Sequence, residues 1–325
     1  MNNKIKVGIV GYGNLGRGTE LAMSENPDME LVAVFTRRNP DMLNSKSNVI
    51  HISKILDFKN KIDIMILCGG SAEDLDKQGP IIASHFNTVD SFDNHTKIPE
   101  YFEKMDKISK QSSKLSLISV GWDPGLFSLI KLLAQSILPN GKNYTFWGDG
   151  LSQGHSDAIR KIKGVKNGVQ YTVPIQKVLD RVRNYENIDV PANKRHKRIC
   201  YVCAEDNADL TKIENEIKTM PNYFVGYDTS VFFISEEELI ENHSKMPHGG
   251  LVIRTGTTGK NNRQTVEFKL TLDSNPEFTS SVVTAYARAI FRLAKEGKTG
   301  AISVFDIPPA YLSPLSNDEL RKKLL

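Results

Sequence analysis

Three glycines near the start of the chain have the spacing of a phosphate-binding turn. Gly11, Gly13 and Gly16 lie in the segment GYGNLG, which follows the apolar run Lys4–Val10 without a gap. In a strand–turn–helix unit the first glycine permits a tight turn, the second admits a pyrophosphate and the third lets the helix pack on the strand. A strand–turn–helix without a ligand is the alternative. The segment predicts a dinucleotide site that includes Gly11, Tyr12, Gly13, Asn14, Leu15 and Gly16.

Two arginines indicate which dinucleotide binds. About 20 residues beyond such a motif, an acidic side chain ordinarily bonds the ribose 2′-hydroxyl of NAD. This chain has Thr36, Arg37 and Arg38 there instead. Guanidinium groups bind phosphate in a bidentate manner, and a threonine hydroxyl can donate a further bond. We therefore predict NADP(H) as the cofactor, the alternative being two solvated arginines in a loop.

These residues require strands and helices that hold them in place. A helix to about Ser24 and a second apolar run, Leu31–Phe35, complete a βαβ unit. The alternation continues, and it predicts an N-terminal Rossmann domain with a doubly wound parallel sheet. Ligands bind outside the carboxyl ends of such strands. The later strands are expected at Ile62–Leu67, His85–Val89 and Leu115–Val120, and the loops after them add Cys68, Gly69, Gly70, Ser71, Asp93 and Asn94 to the predicted cofactor site.

The pattern changes after Gly125. Asp123 and Pro124 have the residue types of an N-cap and first turn for the apolar helix that follows. Alternating runs then predict a second, α+β domain with a mostly antiparallel sheet and helices on one face. The expected domains are 1–121, with 276–325 packing back on it, and 122–275 for substrate binding and dimerisation. The alternating runs are Gly168–Ile175, Lys197–Val202 and Thr229–Ile234, and a long amphipathic helix follows from Asn275 to Gly297 with Phe278, Val282, Tyr286, Ala289, Ile290 and Leu293 on one stripe.

Composition restricts the class of protein. With 325 residues, 39% of them hydrophobic and 25% charged, the chain is expected to be soluble and to bury a sizeable core. The net charge of +4 includes no long basic block, so we expect no nucleic-acid partner. No signal segment or membrane span is predicted, and the three cysteines fit a cytoplasmic, reducing location. Cys200 and Cys203 lie in a predicted strand that would point them to opposite faces, so no metal site is expected.

Seven segments in this order resemble the meso-diaminopimelate dehydrogenase family over nearly the whole chain. They are GYGNLGR, SFDNH, GWDPG, TFWGDGLSQGHSDAIR, HKR, TMPNYFVGY and MPHGG. The resemblance implies an NADP-dependent homodimer that oxidatively deaminates the D-centre of meso-2,6-diaminopimelate to L-2-amino-6-oxopimelate, which cyclises to tetrahydrodipicolinate, with release of ammonia. It also implies the reverse reaction in lysine and diaminopimelate biosynthesis.

The resemblance further implies roles for individual residues. Asp93 and Asp123 belong at the reacting D-centre, where carboxylates hold the amine and accept protons, and Trp122 and Trp147 wall the pocket. The residues implied at the L-centre are Ser152, Gly154, Thr172, Arg198, His248 and Asn275. Structural alternatives stay open, because Asn275 before Pro276 suits an N-cap and Arg198 ends a basic run that would ordinarily be solvated. Neighbours in sequence rarely form a triad, so His155-Ser156-Asp157 indicates a cap at Ser156 rather than a hydrolase.

Two rival functions fit the same N-terminal motif. One is another NADP reductase of similar layout, such as dihydrodipicolinate reductase or homoserine dehydrogenase. The paired aspartates and the two tryptophans argue against it. The other is an NADP-sensing protein that binds the cofactor without turnover.

Overall fold

The chain forms two compact units in a computed structural model that describes residues 4–71 and 73–325. One unit runs to Leu129 and resumes from Pro276 to Leu325, and the other is Ile130–Asn275. The strands are β1 (Ile5–Val10), β2 (Met29–Thr36), β3 (Val49–His51), β4 (Ile64–Leu67), β5 (Asn87–Asp90), β6 (Leu115–Leu117), β7 (Gly141–Trp147), β8 (Gly150–Leu151), β9 (Val165–Pro174), β10 (His196–Ala204), β11 (Asp228–Phe233), β12 (His248–Thr258), β13 (Asn262–Leu272) and β14 (Gly300–Ile302). The α-helices are α1 (Asn14–Ser24), α2 (Leu75–Ala83), α3 (Ile98–Gln111), α4 (Leu126–Ile137), α5 (Gln153–Arg160), α6 (Gln176–Arg183), α7 (Leu210–Thr219), α8 (Glu236–His243), α9 (Asn275–Lys295) and α10 (Asn317–Leu324).

The first unit is built on a parallel sheet with the order β14-β6-β5-β4-β1-β2-β3. Each pairing in it is parallel. Ile64 and Ile66 of β4 enter one buried cluster, while Met65 and Leu67 enter the other. A strand buried on both faces reads as a continuous apolar run, which is why β1 and β4 were predictable. The predicted doubly wound sheet is confirmed, and the short strands β3 and β14 at its two edges are additions to it.

Helix α9 supplies much of one face of that core. Val282, Tyr286 and Ile290 are buried, as the predicted stripe requires. Arg288 is also buried, which the apolar pattern did not predict. Its guanidinium donates to both oxygens of Asp28, at 2.6 and 2.8 Å, and to Asn26 at 2.6 Å, so the buried charge is paired and hydrogen-bonded.

The second unit contains two sheets rather than the single sheet that we predicted. One has the order β11-β10-β9-β8 and the other β13-β12-β7. The three predicted runs all fall in the first sheet, where β10 pairs antiparallel with β9 but parallel with β11. The second sheet depends on a hairpin whose turn has positive φ at Gly259 and Asn261. This hairpin was missed because β13 is largely exposed and polar, so its alternation is weak.

Two predicted caps are wrong. Asp123 and Pro124 precede helix α4, which begins only at Leu126, because residues 121–125 first close a tight turn. There the Leu126 N–H donates to the Gly121 carbonyl at 3.0 Å, and a Cβ on Gly125 would lie 2.0 Å from the same oxygen. Ser156 lies inside α5, not at its start. Its hydroxyl donates to the Ser152 carbonyl at 2.7 Å and accepts the Gln170 N–H at 3.0 Å.

Two further expectations concern the cysteines and membrane-spanning helices. Cys68, Cys200 and Cys203 are buried and unpaired. Burial raises the pKa of the Cys200 thiol to about 12, so it packs as a small apolar group. Within 4–71 and 73–325, no helix combines the length and the apolar character that crossing a bilayer requires.

Candidate active site

The glycine motif has three different local environments that match three different roles. Gly11 follows β1 with φ +93°, which opens the turn. A Cβ on Gly16 would lie 2.1 Å from the Gly11 carbonyl oxygen, so only glycine lets α1 pack this closely. A Cβ on Gly13 would meet no atom within 4 Å among the described residues. The space at Gly13, in front of the N-terminus of α1, therefore suits a pyrophosphate.

Tyr12 supports the motif through its side chain, which is buried. Its hydroxyl donates to the carboxylate of Glu20, and the hydroxyls of Ser45 and Ser47 donate to the same carboxylate at 2.8 and 2.5 Å. Burial opposes ionisation of Glu20, but these hydroxyls outweigh it and hold its pKa below the usual value. Glu20 thus fixes the motif to the loop between β2 and β3, a role that the sequence did not reveal.

The two predicted phosphate ligands lie at the carboxyl end of β2. The Arg38 guanidinium donates to the Tyr12 carbonyl at 2.5 Å, and the Arg38 N–H donates to the Thr36 hydroxyl at 3.1 Å. Arg37 pairs with Asp74 at 2.7 Å, and its side chain is 63% exposed. The structure therefore brings the arginine loop to the glycine turn. Asp74, which the sequence reasoning missed, holds one of the guanidinium groups.

The loop after β4 adjoins the glycine turn through its backbone. The carbonyl of Cys68 would lie 3.3 Å from a Cβ on Gly11, whereas its thiol is in the core with a pKa raised by burial to about 12. Any cofactor contact of Cys68 is thus a backbone contact. Gly70 has open space at its Cβ position, and the Ser71 hydroxyl accepts the Asp93 N–H at 2.9 Å. This bond ties the loop after β4 to the loop after β5, where Asn94 also lies.

The two predicted catalytic carboxylates follow neighbouring strands of the sheet. Asp93 is exposed in the loop after β5, and Asp123 is half-buried in the turn after β6. Trp122 is buried, and its ring packs edge-to-face on Phe127 at 5.2 Å. Because β5 and β6 are parallel neighbours, both loops leave the same edge of the sheet.

In the second unit, Thr172 and Arg198 are cross-strand partners on β9 and β10. Arg198 is only 8% exposed, although it ends a basic run. Its guanidinium donates to the Thr172 hydroxyl and lies 4.2 Å from the ring centre of Tyr227. Its Nε has no hydrogen-bond partner among the described residues. A buried guanidinium whose N–H lacks a hydrogen-bond partner can bind an anion.

His248 lies beside that pair, and Asn275 bonds to the segment just before His248. Gly150, which is the cross-strand partner of Thr172, leaves room for the His248 ring, since a Cβ on it would lie 2.5 Å from the imidazole. Burial lowers the pKa of His248, and Arg198 lowers it further. The Asn275 N–H donates to the carbonyl of Met246 at 3.0 Å, two residues before His248.

Ser152 and Gly154 lie at the start of α5. The Ser152 hydroxyl is 2.7 Å from Nδ1 of His155, and a Cβ on Gly154 would meet no described atom within 4 Å. Burial, with Arg198 as the second cause, lowers the pKa of His155 to about 4. The imidazole of His155 is therefore neutral at physiological pH. The sequence pattern alone did not indicate a role for His155.

Trp147 is fixed by a histidine that the sequence did not single out. The backbone N–H of Trp147 donates to Nε2 of His196 at 2.9 Å, and the centres of the two rings lie 5.1 Å apart. Nδ1 of His196 faces the Ala192 carbonyl at 2.9 Å, so the neutral ring donates there and accepts from Trp147. Burial lowers the pKa of His196 to about 4. The only signal in the sequence was the position of His196 directly before Lys197 and Arg198, and this signal is weak.

Known proteins of one family match this chain from end to end. The family "Diaminopimelic acid dehydrogenase C-terminal domain" matches residues 121–274. A meso-diaminopimelate D-dehydrogenase of Ureibacillus thermosphaericus is 59% identical over 99% of this chain and 100% of its own. The structure of the Corynebacterium glutamicum DAP dehydrogenase in complex with DAP is 44% identical, covers 100% of both chains and has a TM-score of 0.94.

A further solved structure bears on the cofactor. An engineered D-amino acid dehydrogenase bound to NADP+ is 42% identical, covers 99% of this chain and 100% of its own, and has a TM-score of 0.89. Full-length identity at this level, in sequence and in fold, leaves no room for a different family. The chain belongs to the meso-diaminopimelate D-dehydrogenase family.

Proposed function

We propose that this protein oxidises the D-centre of meso-2,6-diaminopimelate with NADP+. Water and NADP+ are consumed, and L-2-amino-6-oxopimelate, ammonium, NADPH and one proton are formed; the keto product cyclises to tetrahydrodipicolinate. The observation that carries the proposal is the buried Arg198 with its unused Nε beside Thr172, in a chain that matches this family over its full length. A substrate with a second amino-acid centre requires such an anion site.

NADP(H) fits the first unit. The open space at Gly13 takes the pyrophosphate, and Thr36, Arg37 and Arg38 take the 2′-phosphate. Gly11, Tyr12, Asn14, Leu15, Gly16, Cys68, Gly69, Gly70, Ser71, Asp93 and Asn94 complete the proposed cofactor site. NADP+, when bound, would supply the hydride acceptor for the D-centre carbon, a chemistry that no side chain supplies.

Asp93 and Asp123 manage the protons at the D-centre. Their carboxylates attract the substrate ammonium, and one of them, directly or through a water, takes a proton so that the nitrogen lone pair can form the C=N bond. A water then adds to the imine carbon, and the C–N bond breaks as the nitrogen leaves as ammonia. Both aspartates are candidates for the base. Trp122 and Trp147 limit access of bulk water to the reacting carbon.

The second unit holds the distal L-centre. Arg198 binds its carboxylate through two N–H groups, and the Thr172 hydroxyl, His248, Asn275, Ser152 and the backbone at Gly154 complete the set. Neutral His248 offers a hydrogen bond without repelling or neutralising either charge. Because the fork of Arg198 is planar and buried, it selects for a substrate with a second carboxylate.

The proposal also covers the oligomeric state, the domains, the location and the pathway. We propose a homodimer in which 122–275 forms the substrate-binding and dimerisation domain and 1–121 with 276–325 the NADP domain. The unpaired cysteines suit the cytoplasm, and the reverse reaction would fix ammonia in lysine and diaminopimelate biosynthesis.

The test is to follow NADPH absorbance with NADP+ and each candidate substrate. We expect formation of NADPH with meso-diaminopimelate and none with the LL-isomer or with homoserine. Formation with homoserine instead would place the protein among the rival reductases. Tight NADPH binding without turnover on any amino or hydroxy acid would make it a cofactor sensor.

A further inference from the structure

A fully buried carboxylate lies behind the loops that carry the two proposed catalytic aspartates. Asp90 is the last residue of β5, is 0% exposed and has no part in the chemistry proposed above. Its Oδ1 accepts two backbone N–H groups, from Phe92 and from Ser119, each at 3.0 Å. Its own carbonyl accepts the Val120 N–H at 2.8 Å. One residue thus binds the loop that contains Asp93 and the segment that leads to Asp123.

The Ser119 contact holds a backbone conformation that would otherwise be unfavourable. Ser119 has φ +59°, in the left-handed region, which is unfavourable for a residue with a side chain. This conformation ends β6 at Leu117 and turns the chain toward Gly121, Trp122 and Asp123. Because the Ser119 N–H donates to Asp90, the carboxylate stabilises the turn that directs Asp123.

Asp90 is itself rigidly held. The Tyr101 hydroxyl of α3 donates to its Oδ2 at 2.8 Å, and the Tyr101 ring stacks on Phe92 with centroids 4.1 Å apart and planes at 11°. Both rings are almost completely buried. The carboxylate therefore cannot move without disturbing an aromatic pair that is part of the core.

Burial of the Asp90 carboxylate costs free energy of folding, which indicates that the geometry of its hydrogen bonds is important. Desolvation raises the pKa of Asp90 to about 6, against the lowering effect of its three donors. An apolar residue of similar volume would avoid that desolvation penalty. It would not, however, provide one oxygen that accepts an N–H from each of two chain segments.

We propose that Asp90 is a positioning residue that fixes the Asp93 loop and the Asp123 turn to each other, and so aligns both carboxylates with the D-centre. This role rests on the proposed function, because it assumes that Asp93 and Asp123 act at one reacting carbon. Because Asp90 is 0% exposed, it acts through these two loops rather than on the reacting atoms.

The experiment compares Asp90→Asn with Asp90→Ala in the meso-diaminopimelate assay. Asparagine keeps Oδ1 for both backbone N–H groups, and its Nδ2 can donate to the Tyr101 oxygen, so kcat should stay within about threefold of wild type. Alanine removes the shared acceptor, and misplacement of the loops should lower kcat roughly 100-fold. The NADPH Kd, measured by fluorescence, should change much less than kcat, because the Gly13 and Arg38 regions are untouched and only the Asp93 and Asn94 part of the proposed cofactor site is displaced.

A second readout separates positioning from simple destabilisation. With substrate deuterated at the D-centre carbon, Asp90→Ala should show a larger isotope effect on kcat than wild type, because hydride transfer has become slower. Asp28→Ala is the matched control, since it breaks the Arg288 ion pair at the amino-terminal end of β2, away from the loops that Asp90 joins. It should lower the melting temperature but leave kcat and the isotope effect at their wild-type values.

The outcomes are distinguishable. If Asp90→Ala retains wild-type kcat, or if Asp90→Asn is as defective as Asp90→Ala, the positioning role is wrong. If Asp90→Ala does not fold, Asp90→Leu, which fills the space without an acceptor, takes its place with the same expected result. If the wild-type protein forms no NADPH from meso-diaminopimelate, the proposed function fails instead.

Discussion

The two units differ in how their proposed anion sites are built. In the first unit, the proposed phosphate site consists of glycine backbone, a helix N-terminus and two arginines, of which Arg37 is 63% exposed. In the second, Arg198 is 8% exposed, has one unused N–H and packs on Tyr227. An exposed charge is screened by water and ions, while a buried guanidinium gains more from its anion and costs more when unpaired. Substitution of a single binding residue should therefore lower activity more in the second unit than in the first, except at the proposed catalytic aspartates of the first unit.

The largest expected effect tests that exception. Asp123→Asn removes a proton acceptor but keeps the size of the side chain, so kcat should fall by a factor of roughly 100 to 1,000. The NADPH Kd should stay within about threefold, because the glycine turn and arginine loop are intact. Steady-state kinetics and fluorescence titration measure the two quantities. Asp318→Asn, at an exposed position of α10, is the control, and equal losses in kcat and affinity would remove Asp123 from the chemistry.

The next effect tests the buried guanidinium. Arg198→Met should lower kcat/KM for meso-diaminopimelate roughly 100-fold, since a desolvated, charge-assisted bond to the distal carboxylate is lost. The rate with D-norleucine, which lacks that carboxylate, should not fall. Lys197→Met changes the exposed neighbour on the same strand and should have no effect. A parallel loss with D-norleucine would show that Arg198 supports the fold rather than the distal carboxylate.

A smaller effect is expected from the exposed arginines. The double variant Arg37→Ala/Arg38→Ala should weaken NADP+ binding roughly 30-fold and NAD+ binding less than about threefold, because only NADP carries the 2′-phosphate. The difference should shrink as salt is added. Lys59→Ala/Lys61→Ala removes two other exposed charges of the first unit and should change neither affinity. Equal weakening of both cofactors would assign the arginines to the fold.

The same contrast explains what the sequence could predict. Apolar runs such as Ile64–Leu67 are buried on both faces, so the parallel sheet was readable, and the roles of Gly11, Gly13 and Gly16 depend on backbone geometry that spacing encodes. The residues of the second unit act through side chains on strands, where position in the sequence does not reveal neighbours. Only the family resemblance indicated Thr172 and Arg198, and nothing local indicated Tyr227 or His196.

Two helix caps were also predicted wrongly, for different reasons. Asp123 and Pro124 have the right residue types for a helix start, but the tight turn at Gly121–Gly125 delays α4 to Leu126. Ser156 resembles a cap, yet it bonds α5 to β9 through Gln170. A competing local turn overrides the cap preference at Asp123, and a tertiary contact overrides it at Ser156.

The smallest effect concerns pH, and it should act on the two units with opposite sign. His155 and His196 in the second unit have pKa values lowered by burial to about 4, whereas an unfolded histidine titrates near its ordinary value of 6.5. As pH falls below 6.5, these two histidines bind protons in the unfolded state but not in the folded state. The stability present above pH 6.5 is then lost, by about 1–2 kcal/mol for each histidine at pH 5. Protonation of His196 at Nε2 would also break its bond from the Trp147 N–H.

In the first unit Asp90 behaves in the opposite way, because its pKa is raised to about 6 and the folded state binds the proton first. Glu20, Asp28 and Asp106 have lowered pKa values and stay ionised in the folded state at pH 5. Hydrogen exchange at pH 7 and pH 5, corrected for the intrinsic rate, should therefore show β8–β10 losing protection while β1–β5 keeps it. His196→Gln removes one titrating group and should reduce the loss in β10, whereas His51→Gln, at an exposed site, should not. Greater loss of protection in β1–β5 than in β8–β10 would contradict the contrast, because it would place the acid-sensitive groups in the unit whose buried carboxylate gains stability from protonation.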